Sequence, residues 1–248
     1  MSAVSRRAGG LLILTLGFVS VFMFFLPAEL LNRAVTKATE GRISLVAVSG
    51  TAWNGSAQIA IFDGQTKMAI PGRLSWLIVW SSVVQRGMPG VTFAHPLMPA
   101  PLQITRQEHR WQLSGNQVRF PAAWLTASGT PWNTIKPAGT ISLAWSDIFS
   151  DEAFTLKMQW QDAQSALSVV KPLGHYQVLA TVEKQGNLSA NLSTVSGDLN
   201  LEGQATWTAI EGFSFKGYAT PSPSQQVALT GLLSQMGRQE NNRYRLGS

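Results

Sequence analysis

The chain has 248 residues and a formal net charge of +6 at pH 7, from 19 Lys and Arg against 13 Asp and Glu. A hydrophobic content of 45% excludes an intrinsically disordered chain, and beyond Arg6 and Arg7 the basic residues are scattered singly with no basic run that follows a phosphate backbone, so no nucleic-acid partner is expected. With 0 Cys, disulfides, Cys-ligated zinc and thiol nucleophiles are excluded together, while 22 Gly, 12 Pro and only 13% charged residues suit a turn-rich sheet protein.

Residues 1–7 carry Arg6 and Arg7 and are expected to remain cytoplasmic. Residues 8–28 carry no charge. At about 1.5 Å per residue this run is long enough to cross a hydrocarbon core of about 30 Å. Leu26-Pro27-Ala28 puts Leu where signal cleavage wants a small residue, so the segment reads as an uncleaved transmembrane anchor rather than a signal peptide. The positive-inside rule then sends everything after it across the membrane. The expectation is a single-pass protein of a bacterial inner membrane, its C-terminal bulk in the periplasm. Residues 29–41 follow as a juxtamembrane helix. Leu30, Leu31, Ala34, Val35 and Ala38 share its apolar face, Arg33 and Lys37 sit at headgroup level, and Gly41 stops it.

From Arg42 the period changes to two, and residues 42–248 read as an all-β domain, an antiparallel sheet that is curved or rolled. Ile141, Leu143 and Trp145 alternate with Thr140, Ser142 and Ala144. Phe154, Leu156, Met158 and Trp160 form a second apolar phase, and Tyr176, Val178, Ala180 and Val182 a third. One-sided alternation marks antiparallel strands with one packed and one wet face. An internal repeat is visible: Ser49-Gly50-Thr51-Ala52-Trp53-Asn54 recurs as Ser128-Gly129-Thr130-Pro131-Trp132-Asn133. Leu74-Ser75-Trp76 after Pro71-Gly72 is echoed before Trp145 after Pro137, so residues 43–80 and 122–149 are expected to be two equivalent sheet units. The glycines of the motif would sit at bends or bulges. Near the end, Leu229, Leu232, Leu233 and Met236 fall at helical spacing in a short helix closed by Gly237, and Arg243 to Leu246 reads as a last strand.

No catalytic constellation is present in the sequence. There is no Walker loop, nucleophile elbow, His-Glu-x-x-His or dinucleotide-binding glycine turn. His95, His109 and His175 lie far apart and near no acidic cluster, and Asp151-Glu152 reads as a solvated turn. The chain is therefore not read as an enzyme, and no catalytic residue, metal, cofactor or small-molecule substrate is expected. The aromatic residues mostly read as core: Trp145 and Trp160 fall on apolar phases, as does Trp111 with Leu113. Trp76 and Trp80 flank Leu77-Ile78-Val79 and make a candidate contact surface.

The motifs, taken in order, resemble a known family. They are Leu26-Pro27-Ala28-Glu29-Leu30-Leu31, Val48-Ser49-Gly50-Thr51-Ala52-Trp53-Asn54-Gly55 and Leu74-Ser75-Trp76. Then come Pro172-Leu173-Gly174-His175-Tyr176, the run from Leu192 through Gly197-Asp198 to Gly203, and Leu229-Thr230-Gly231-Leu232. Together they resemble the N protein of the type II secretion system, the general secretion pathway of Gram-negative bacteria. Gly174 and Gly197 in these motifs join Ser49, Gly50, Thr51, Trp53, Ser128, Gly129, Thr130 and Trp132 as candidate structural residues. The resemblance implies a non-enzymatic accessory subunit of the inner-membrane platform in the export of folded exoproteins, with other platform subunits or the secretin as partners. His175 stands where the family often carries an acidic or polar residue, and no function is attached to it. The reading is thus a membrane-anchored periplasmic scaffold acting through protein contacts. The alternative is a periplasmic β domain that handles lipid or glycan in an apolar aromatic groove. A continuous, open apolar groove favours the second reading; a filled core with apolar patches on loops or edges favours the first.

Overall fold

The computed structural model describes residues 25–62, 67–79, 90–107, 110–128, 130, 132–240 and 243–247. They fall into two compact units, one running to Val79 with Val91–His95 added, the other holding the chain from Pro96 onward. The all-β expectation holds in both, and the strands pair antiparallel.

The first unit opens with a short segment bonded to the Gly50–Ala52 turn. The Ala52 N–H donates to the Leu26 carbonyl at 2.8 Å, Pro27 bridges Thr51, and the Ala28 N–H donates to the Gly50 carbonyl at 3.3 Å. The last three residues of the expected anchor, 26–28, therefore belong to the folded unit and are not helical. Residues 1–24, with Arg6, Arg7 and most of the expected span, lie outside the described residues. Among the described residues no helix is long and apolar enough to cross a membrane.

Helix α1 (Glu29–Ala38) follows, and Gly41 leaves it at φ +81°. Its apolar face is shared. Leu31 and Val35 pack inward on the cluster of Ala28, Leu45, Ala57 and Trp76, whereas Leu30 is exposed. The Leu45 N–H donates to Asn32 Oδ1 at 2.9 Å, which fastens the helix to β1 (Ile43–Gly50). β2 (Asn54–Phe62) pairs with β1 and with the short β3 (Lys67–Ala69), and β4 (Leu74–Val79) and β5 (Gly90–Ala94) continue the order beyond β2. The β1–β2 register slips between Val46 and Ser49, where Ala47 takes φ +49°. The Arg73 guanidinium holds this bulge, donating to the Ala47 carbonyl and to Ser49 Oγ, each at 2.9 Å.

The second unit begins with an antiparallel ladder of β6 (Leu102–Gln107), β7 (Arg110–Leu113) and β10 (Ile148–Phe149). Its main body is a nine-stranded sheet. In chain order the first strands are β8 (Asn116–Pro121), β9 (Ala138–Trp145), β11 (Phe154–Gln164) and β12 (Gly174–Val182). Then come β13 (Leu188–Gly197), β14 (Leu199–Thr208), β15 (Gly212–Pro221), β16 (Arg238–Glu240) and β17 (Arg243–Leu246). The spatial order is β16-β17-β15-β14-β13-β12-β11-β9-β8. Register places Ile141, Leu143 and Trp145 opposite Trp160, Met158 and Leu156, which in turn face Tyr176, Val178 and Ala180. The three apolar phases read from the sequence are thus one continuous face. Helix α2 (Trp132–Ile135) precedes β9, and helix α3 (Gln226–Met236) covers one end of the apolar face. Leu229, Leu232 and Leu233 of α3 are buried with Leu173, Tyr176, Leu199, Ala219, Tyr244 and Leu246.

The expected repeat does not hold at its defining motif. Thr51 to Trp53 is a tight turn between two strands, closed by the Thr51 N–H donating to the Asn54 carbonyl at 2.8 Å. In the second copy Ser128 ends a 3-10 helix and Trp132 opens α2; Gly129 and Pro131 lie outside the described residues. Pro131 replaces Ala52, whose N–H makes the bond to Leu26. A proline has no N–H to offer, and its fixed φ suits the first turn of a helix. Trp76 and Trp145 also differ in what they touch. The Trp76 indole N–H donates back to the Thr51 and Ala52 carbonyls, that of Trp145 to the Ser114 carbonyl.

Candidate functional site: an apolar cavity and an aromatic hairpin tip in the second unit

Helix α3 does not fill the space above the sheet. Between α2, α3 and the apolar face lies a cavity of about 590 Å³. Its walls come from five strands and two helices, with Trp132, Trp160, Tyr176, Leu201, Phe215 and Leu232 prominent among them. Three polar side chains of these walls are engaged by backbone. The Trp160 indole N–H donates to the Ala138 carbonyl, the Tyr176 hydroxyl to the Leu199 carbonyl, and the Ser165 hydroxyl to the Ile135 carbonyl, each at 2.9 Å. Trp160 and Tyr176 stand with ring centroids 6.1 Å apart. Burial pushes the Tyr176 phenol far above its ordinary value, so at any physiological pH it remains a neutral hydroxyl. What the cavity offers a guest is aromatic and aliphatic surface.

Gln235, Met236 and Gly247 close one side of this cavity and also line a neighbouring concavity of about 620 Å³. The neighbour is polar: Ser234, Arg238, Glu240 and Arg245 contribute to it. Arg238 and Arg245 are register partners on β16 and β17. Glu240 lies 3.6 Å from Arg245, and among the described residues Arg238 has no acidic partner. Glycine makes this corner possible. A Cβ at Gly237 would lie 1.9 Å from the Arg245 carbonyl oxygen, and one at Gly247, which has φ +80°, 2.1 Å from that of Phe215.

A second feature is the tip of the β14–β15 hairpin. Trp207 and Phe213 are cross-strand partners, 42% and 69% exposed, and Ile210 at the turn is 97% exposed. Trp207 lies on the apolar phase of β14 with Leu199, Leu201 and Ala205, so the packed face of the sheet runs out into solvent here.

The residues singled out in the sequence go to different places. Trp76 is 5% exposed and sits in the core of the first unit, so the contact surface expected there is corrected; Trp80 lies outside the described residues. Trp111 is 43% exposed beneath the Arg106 guanidinium rather than in a core. Gly50 has φ +87°, and a Cβ on it would lie 2.4 Å from the Asn54 carbonyl oxygen. Gly174 and Gly197 face each other across β12 and β13, where a Cβ on Gly197 would lie 2.2 Å from the Gly174 Cα. His175 Nδ1 accepts the N–H of Asp162, a bulge residue at φ +49°, which gives this histidine a local structural task. Asp151 and Glu152 are exposed beside Arg110. His95 is buried, and burial lowers its pKa; His109 lies outside the described residues. Among the described residues no group of three His, Cys, Asp or Glu is placed to hold a metal ion.

A family model described as "Type II secretion system (T2SS), protein N" matches residues 41–247. The chain belongs to the type II secretion system protein N family. No curated protein and no solved structure matches it. The matched span takes in every strand of both units, the cavity and the hairpin tip, so these are features of a protein N chain. It begins after α1 and does not include residues 1–40.

Proposed function

We propose that this chain is an accessory subunit of the type II secretion machinery that works by contact rather than by chemistry. In this reading residues 1–7 are cytoplasmic, an apolar segment ending before Leu26 anchors the chain in the inner membrane, and the two β units stand in the periplasm. The observation that carries the contact role is the hairpin tip. Trp207, Ile210 and Phe213 expose a group of large apolar side chains on one turn, and such clusters mark protein interaction surfaces. Family membership supports a partner from the same machine.

The test has two arms in cells that secrete by this system. A photo-crosslinking amino acid at Ile210 should capture another secretion subunit from native membranes. The double substitution Trp207→Ser with Phe213→Ser should reduce exoprotein in the medium while leaving the membrane level of the protein unchanged. Full secretion by that variant, with no capture at position 210, overturns the contact role. A periplasm-active reporter fused after Ser248 should be active; an inactive, stable fusion overturns the orientation.

A further inference from the structure

We infer that the second unit binds an anionic phospholipid, with one acyl chain in the cavity beneath α3 and the phosphate over Arg238 and Arg245. The inference needs no assumption about secretion; it rests on three features of one corner of the fold. First, the cavity of about 590 Å³ falls within the range of about 300–1,000 Å³ typical of ligand sites, and aromatic and aliphatic side chains dominate its walls. Second, of the polar side chains in its walls Trp160, Tyr176 and Ser165 donate to backbone carbonyls and so present no spare donor to a guest, which leaves only Thr130, Trp132, Thr134 and Gln235 at the α2 and α3 side. A sugar or nucleotide would lose its water hydrogen bonds there and regain few, at a cost of about 1–3 kcal/mol for each buried group left unpaired. An alkyl chain loses none. Third, the cavity shares Gln235, Met236 and Gly247 with a concavity that holds two register-paired arginines and one glutamate. Arg238 and Arg245 lie on the exposed phase of β16 and β17 at the sheet edge, opposite the buried Tyr244 and Leu246, so a head group would pass round the β16 edge to reach them. Two guanidiniums on one rim, one of them without an acidic partner among the described residues, match a phosphate better than a neutral or cationic head. Apolar volume and cationic rim together describe an amphiphile with an acidic head, and the inner membrane supplies such molecules as phospholipids.

The experiment uses the full-length protein in phosphatidylcholine nanodiscs doped with a phosphatidylglycerol probe. The probe carries a photoreactive diazirine at mid-chain, and adducts are mapped by mass spectrometry. Adducts are expected on peptides containing Trp160, Tyr176 or Leu232. Unlabelled phosphatidylglycerol should compete and phosphatidylcholine should not. Leu201→Trp, which fills the cavity, should abolish these adducts, and Ile135→Trp, which fills it from the opposite wall, guards against a folding defect in the first variant. Arg238→Glu with Arg245→Glu should lower competition by phosphatidylglycerol about tenfold, the worth of one charge-assisted hydrogen bond. A diazirine fatty acid run in parallel distinguishes a phosphate from a carboxylate head; preferential labelling by the fatty acid overturns the phospholipid assignment. So does labelling confined to other peptides, equal competition by both lipids, or unchanged labelling in both filled variants when each retains wild-type near-UV circular dichroism.

Discussion

Two glycines show how differently one residue type serves this chain. Gly197 sits at φ +131° with its Cα against that of Gly174, and a methyl group there has no room because both neighbours are backbone. Gly231 lies within α3 and a Cβ on it would meet nothing within 4 Å. Gly197→Ala should therefore destabilise the second unit by about 2 kcal/mol or more, combining left-handed strain with a displaced strand pair. Gly231→Ala should stabilise it by roughly 0.5–1 kcal/mol through helix propensity and a less flexible unfolded chain. Urea midpoints of the two variants, measured in the same detergent, give the signs directly. Equal effects would mean that the β12–β13 contact is looser than the structure has it.

At the scale of elements, α3 is the lid of the core, and its residues divide cleanly. Leu233 is fully buried and Val227 is exposed. Leu233→Ala should cost about 2–5 kcal/mol and Val227→Ala less than about 0.5 kcal/mol, read from thermal unfolding followed by near-UV circular dichroism. This helix was legible because Leu229, Leu232 and Leu233 recur at helical spacing, and the strands β9, β11 and β12 were legible because alternation of period two leaves little choice of face. The repeat misled because five matches in six residues do not determine local structure. Thr51 to Asn54 turns because Trp76, distant in sequence, donates to its carbonyls, and the second copy has a proline where Ala52 needs an N–H. An apolar aromatic groove entered the sequence reading only as an alternative, and the place of the cavity was not legible. Its walls come from residues as far apart as Trp132 and Leu246, and apolar phase says which side chains face inward without saying whether they meet. The exposed pair Trp207 and Phe213 has the same origin, since Trp207 keeps the phase of a core residue after the core has ended.

For the whole molecule, the contact reading predicts where secretion is sensitive and where it is not. His175, Asp151 and Glu152 are exposed or half-exposed, and their partners are a bulge amide and a surface arginine. Single replacement of each by Ala should leave exoprotein in the medium close to wild type once normalised to the membrane level of the protein. A variant of normal abundance that abolishes export would mark a residue whose chemistry matters and sink the non-catalytic reading. The sequence motifs pointed to the secretion family, which the match over residues 41–247 then showed. No motif in the chain names a partner, because a contact surface is defined by shape and exposure rather than by any fixed spacing of residues.

The pairing of Leu26 and Ala28 with the Gly50–Ala52 turn has a consequence for reach. Many anchored domains hang on a leash of flexible residues, and the leash sets how large a volume they search and how dilute they are within it. On the anchored reading, the described fold begins at Leu26, inside the expected span. The first unit would then be held against the bilayer at fixed height, moving sideways with its anchor but not outward. Its effective concentration would be high for anything arriving along the membrane plane and close to zero for anything waiting deeper in the periplasm.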